Sequence, residues 1–150
     1  EKYAHKGDEI LARLAAELGK DKDLHTSARV LRNVLHVLRN HLSTEESLQL
    51  LAQLPLVVKG MYVDSWKLHK KTRRIRRVEE LVAELMEADG IRLAEHDFSN
   101  EAGARHALRS VLKVLSLYVS EGELHDIAQL MPGEVKAFME SAIAEKSAVF

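Results

Sequence analysis

The feature that most constrains this chain is a long internal repeat. Residues 31–61, LRNVLHVLRNHLSTEESLQLLAQLPLVVKGM, align without a gap on residues 108–138, LRSVLKVLSLYVSEGELHDIAQLMPGEVKAF. The offset is 77, and 11 of the 31 positions are identical. Upstream, EILARLAAELG (9–19) resembles ELVAELMEADG (80–90) at an offset of 71, so the second copy carries six extra residues near IRLAEHDFS. A period this long is not a solenoid unit. It describes a helical unit present twice, within one domain of 150 residues. The first half is 1–66, the connector 67–77 and the second half 78–150.

Hydrophobic spacing makes both copies helical. Leu31, Val34, Leu35, Leu38 and Leu42 fall on one stripe, and Leu108, Val111, Leu112, Leu115 and Val119 repeat it. Val30, Val37, Val114 and Leu117 widen the apolar face, so burial is expected to be heaviest along the stripes through Leu35 and Leu112. Ser43 to Glu46 and Ser120 to Glu123 have capping-box spacing: Ser at the N-cap and Glu three residues on. Pro55 and Pro132 follow, each expected to start a fourth helix. The spacing predicts helices near 6–18, 25–41, 44–53, 55–64, 74–88, 100–118, 121–130 and 132–146. The expected fold is all-α, a compact bundle of about eight helices in two pseudo-symmetric four-helix halves. With only 2 Pro and 7 Gly, composition agrees. The chain has no cysteine, which excludes disulfides and thiolate metal sites and suits a reducing cytosol, so a cytoplasmic location is expected.

The stretch VLRNVLHVLRNHLSTEESLQLLAQLP, followed by VVKGMYVDSWK, resembles the bacterial domain of unknown function 2267 family. The shared pattern is a Leu-rich helix, then Leu-Ser/Thr-x-Glu-Glu, here Leu42 to Glu46, then Gln53-Leu54-Pro55. The second copy departs from it at Leu130-Met131-Pro132, and the resemblance covers residues 1–145. It implies a compact helical bundle and carries over no catalytic residues.

Motifs for chemistry are absent from the sequence. The eight histidines are His5, His25, His36, His41, His69, His96, His106 and His125. No two stand three or four apart, so no helix face presents a His pair to a metal. The carboxylate pairs Glu45-Glu46, Glu79-Glu80 and Glu121/Glu123 sit at predicted helix starts, where they complement the macrodipole. There is no Gly-rich phosphate loop, no nucleophile elbow and no Glu-x-x-His motif. No enzyme, no cofactor and no metal is expected. No signal-peptide h-region is seen in the opening residues, and no run of about 18 apolar residues suggests a membrane span.

Arg32 and Arg109 recur at matched positions, as do Lys59 and Lys136. The favoured reading lays each arginine stem on the core, with its head on a carboxylate or helix C-terminus of its own half. The alternative is a pseudo-symmetric anion or partner site.

Charge is unevenly spread. Residues 1–66 carry nine basic and nine acidic groups, residues 67–77 seven basic and none acidic, and residues 78–150 six basic and fourteen acidic. The basic run WKLHKKTRRIRR (66–77) has three readings: a strap over the acidic second half, a polyanion site, or a solvated linker. As a polyanion site it would use Lys67, Lys70, Lys71, Arg73, Arg74, Arg76 and Arg77, and about five phosphate contacts would give a salt slope near −4.5. Trp66 is expected to anchor the end of the first half. The preferred function is a helical interaction module with an unknown protein partner; nucleic-acid or polyanion binding is second and an unrecognised enzyme third.

Overall fold

The structure is a computed structural model and describes residues 2–19, 23–68, 75–90 and 96–145. Among the described residues there are eight helices and no strand: α1 (Lys2–Leu18), α2 (Leu24–Arg39), α3 (Thr44–Gln53), α4 (Leu56–Val63), α5 (Val78–Ala88), α6 (Glu101–Leu115), α7 (Glu121–Gln129) and α8 (Gly133–Ala144). None of them is long and apolar enough to cross a membrane.

The two predicted stripes form the centre. Every residue on them, from Leu31 to Leu42 and from Leu108 to Val119, is buried. Leu35 and Leu112 are 0% and 1% exposed, and each such side chain contributes about 1.5–3 kcal/mol by leaving water. α2 and α6 touch each other; α1 and α5 pack on both, α4 on α2 and α8 on α6. The copies interlock rather than stand apart. α1 packs on its own α2 and on α6 of the other copy, while α5 packs on its own α6 and on α2. α3 meets α7, α4 covers α1 and α2, and α8 covers α6 and α5. Gly7 permits the close α1–α4 approach: a Cβ there would lie 3.0 Å from a Val57 methyl. One core cluster draws residues from all eight helices.

Helix ends show where sequence signals bend to local chemistry. The Ser43 box is complete: Ser43 Oγ accepts from Glu46 N–H at 3.1 Å, and Glu46 accepts from Ser43 N–H at 2.7 Å. The Ser120 box is only half made. Ser120 Oγ accepts from Glu123 N–H at 3.2 Å, but Glu123 Oε1 is buried with no partner. Both prolines sit at the N-cap, one residue ahead of their helices.

α5 begins at Val78 rather than near 74, because the residues before it are cationic and a helix N-terminus repels cations. Arg77 is its extended N-cap, and Ile75 is buried ahead of the helix. Acids satisfy the exposed N–H groups instead. Glu80 accepts from Arg76 and Arg77 N–H at 3.3 and 3.2 Å, and Glu134 of α8 accepts from Val78 N–H at 2.9 Å.

Candidate functional site

α2 and α5 cross with space between them. The groove has a volume of about 1010 Å3, and Met61 of α4 and Ser65 are among its lining residues. Ala28 and Val37 of α2 and Ala88 of α5 supply apolar lining; Arg29, Arg32, Asn33, His36 and Asn40 line it from α2, and Glu84 and Glu87 from α5. The α5–α6 connection adds Asp89, Gly90 and Asp97.

The sequence alignment pairs this crossing with the α6–α1 crossing. His36 and Ala88 correspond to Lys113 and Glu17 at the reciprocal α6–α1 crossing. There Lys113 Nζ reaches Glu17 Oε2 at 3.1 Å, and the side chains are only 9% and 16% exposed. A long ion pair stands at one crossing; a shorter ring and a methyl line the groove at the other. Met61 corresponds to Phe138, whose ring lies under the Arg105 and Arg109 guanidiniums at 5.0 and 5.6 Å.

Most charges along the groove already have protein partners. Arg29 holds Asp97 through Nε and Nη2, at 2.9–3.2 Å. Arg32 pairs with Asp64, just past the end of α4. Asp89 accepts from the N–H groups of Asp97 and Phe98 at 2.8–3.0 Å, holding residues 97 and 98 to the end of α5. His41 lies 3.0 Å from Glu84, tying α2 to α5. Arg39 donates to the backbone carbonyls of Tyr62, Asp64 and Ser65, so a cation covers the C-terminal end of α4.

Asn33 and His36 each keep a spare acceptor. Asn33 donates its amide to Leu85 O at 3.2 Å, covering a carbonyl in the last turn of α5. That bond fixes the amide's orientation and leaves Asn33 Oδ1 buried with no donor. An unpaired buried acceptor costs about 1–3 kcal/mol. His36 Nε2 lies 2.7 Å from Met61 O, which can only accept, so Nε2 carries the proton. Burial holds this imidazole below its ordinary value, the Arg39 charge adds to that, and the Met61 bond opposes it. The neutral ring therefore keeps Nδ1 as an acceptor. Glu87 is exposed and lines the same groove.

The residues singled out by sequence lie elsewhere or at the margin. Arg32 lines the groove, but its matched partner Arg109 turns to Glu145 and Ser141 within its own half. The two arginines share no partner. Arg109 holds the Glu145 carboxyl below its ordinary range. Lys67, Arg76 and Arg77 are exposed, while Lys70, Lys71, Arg73 and Arg74 lie outside the described residues. Trp66 packs edge-on against Tyr62 at 5.8 Å; Tyr62 itself is fully buried and bonded to Ser47 at 2.6 Å. No three His, Asp or Glu side chains gather as a metal set among the described residues.

Sequence reasoning missed Asn33, His36 and Glu87. One signal was present: Asn33 is a poor helix former in mid-helix, away from any cap, where polarity needs a tertiary reason.

A family model described as Uncharacterized conserved protein (DUF2267) matches residues 7–138. The chain belongs to the DUF2267 family. No curated protein matches it. The DUF2267 match spans both copies of the repeat, and all the groove residues fall inside it.

Proposed function

We propose that this DUF2267 protein is a non-enzymatic helical interaction module of the bacterial cytoplasm, which docks a segment of a partner protein between α2 and α5. The observation that carries the reading is the groove itself: Lys113 and Glu17 stand at one crossing, and His36 and Ala88 line the groove at its counterpart. Its apolar lining flanked by polar groups is the usual anatomy of a recognition site. The bonds around it support the non-enzymatic part. Arg29, Arg32, Asp89 and His41 each hold a structural partner, and the remaining groups do not form a nucleophile with a base.

The test is to close the groove with the chain's own chemistry. A photo-crosslinking residue at Ala28 is expected to capture one defined segment of a partner from lysate of the producing cells. Capture should be lost in His36→Lys/Ala88→Glu, which transplants the Lys113–Glu17 pair, with Tm held or raised. Capture that persists in the closed variant defeats the reading.

A second reading, polyanion binding by the connector, draws on the exposure of Lys67, Arg76 and Arg77. Titration with a DNA duplex across a salt series decides it. Steep salt dependence lost on Arg76→Ala/Arg77→Ala supports this reading, and no binding at low salt removes it.

A further inference from the structure

We infer that the α2–α5 groove receives an arginine side chain from the partner segment, with Asn33 Oδ1, His36 Nδ1 and Glu87 as the acceptors for its guanidinium. This rests on the docking reading above and adds the chemistry of the occupant.

Among the described groove residues, Asn33 Oδ1, the second His36 ring nitrogen and Glu87 are acceptors that receive no hydrogen bond; the Asn40 amide and the His25 ring line the groove as well. Asn33 Oδ1 is buried and receives no hydrogen bond. Its amide nitrogen is committed to Leu85 O, so it cannot flip to offer a donor. The His36 proton is likewise committed to Met61 O, leaving a ring lone pair. Glu87 lines the same groove and is exposed. A ligand that satisfied all three must be rich in donors. Guanidinium offers five N–H groups in one plane and cannot lose its charge, whereas a lysine ammonium is a point charge with three.

Charge points the same way. The described lining carries four carboxylates, Glu84, Glu87, Asp89 and Asp97, against two arginines, Arg29 and Arg32. Those arginines already pair with Asp97 and Asp64, so an incoming anion would compete with carboxylates in place. Of the four carboxylates, Glu84, Asp89 and Asp97 also hold protein partners, so an incoming cation would meet Glu87 together with the Asn33 and His36 acceptors. The apolar lining of Ala28, Val37 and Met61 suits the three methylenes of an arginine stem.

Titrating isotope-labelled protein with N-acetylarginine amide, followed by NMR, tests this. Saturable shifts are expected at the Asn33 side-chain amide, the His36 ring and Ala88. Affinity should fall at least tenfold in Asn33→Leu and in Glu87→Gln; Glu87 is exposed, so its variant keeps the fold whatever Asn33→Leu does. N-acetylnorleucine amide should bind at least tenfold more weakly. Equal binding by N-acetylnorleucine amide, equal shifts with inorganic phosphate or N-acetylglutamate, or no saturable shift overturns the inference. The Ala28 crosslink separates the two levels. A captured segment without arginine sinks this inference and leaves docking intact. Absence of any groove crosslink sinks docking. Arginine-amide binding with no protein partner also overturns the inference, because the occupant is then a free cationic metabolite.

Discussion

Tyr62 and Ser47 show how one residue pair individualises a copy. Their hydroxyls meet at 2.6 Å in the buried first half, and the matched positions in the second half are Leu124 and Met139. Tyr62→Phe strands the Ser47 hydroxyl and is expected to cost about 1–2 kcal/mol in urea unfolding. The double variant Ser47→Ala/Tyr62→Phe should cost less than the sum of the single ones, as a double-mutant cycle would record. His36 carries a pH prediction at the same scale. Burial lowers its folded pKa beneath the ordinary 6.5, so the unfolded chain binds more protons once pH drops below that value. Its contribution is present above pH 6.5 and is lost as pH falls toward the folded pKa. His36→Gln, which keeps a donor for Met61 O, should flatten the fall in unfolding free energy across that interval in urea melts at stepped pH.

The elements differ most at their ends. Both copies carry Ser at the N-cap of the third helix, yet only Ser43 is answered by its glutamate. Ser43→Ala should therefore cost about 1 kcal/mol or more, and Ser120→Ala distinctly less, measured by thermal unfolding. The start of α5 tells a similar story. Two exposed arginines precede it, and Glu80 and Glu134 take the N–H groups that the cations cannot. Glu134→Gln keeps an acceptor but removes a charge beside the helix N-terminus. Its cost should be about 0.3–1 kcal/mol, shrinking as salt is added.

The whole molecule is held by contacts that cross between copies. Lys113 and Glu17 join α6 to α1, and His41 and Glu84 join α2 to α5. Lys113→Met leaves a carboxylate shielded from water and is expected to cost about 3–5 kcal/mol. Adding Glu17→Leu should recover most of that loss in denaturant melts. Because α1 rests on α6 and α5 on α2, residues 1–66 expressed alone leave apolar faces uncovered. That fragment should show no cooperative thermal transition by circular dichroism, while the full chain unfolds in one.

The sequence by itself determined the local order: eight helices, their stripes, the prolines that end the third helix of each copy, and the family pattern. Those follow from short-range rules, since stripe spacing, caps and proline each act within a few residues of chain. Even the shifted start of α5 obeys such a rule, although spacing that counted Ile75 in the stripe placed it too early. Only the tertiary structure decided the site. That Asn33 Oδ1 has no donor, that the His36 proton is spent on Met61 O, and that α2 and α5 stand open depend on residues 25–52 positions apart in the chain. The aligned segments let the two crossings be compared: Lys113 and Glu17 stand at one where His36 and Ala88 stand at the other. No pattern within a single helix reports that difference, because it exists only where one copy packs against the other.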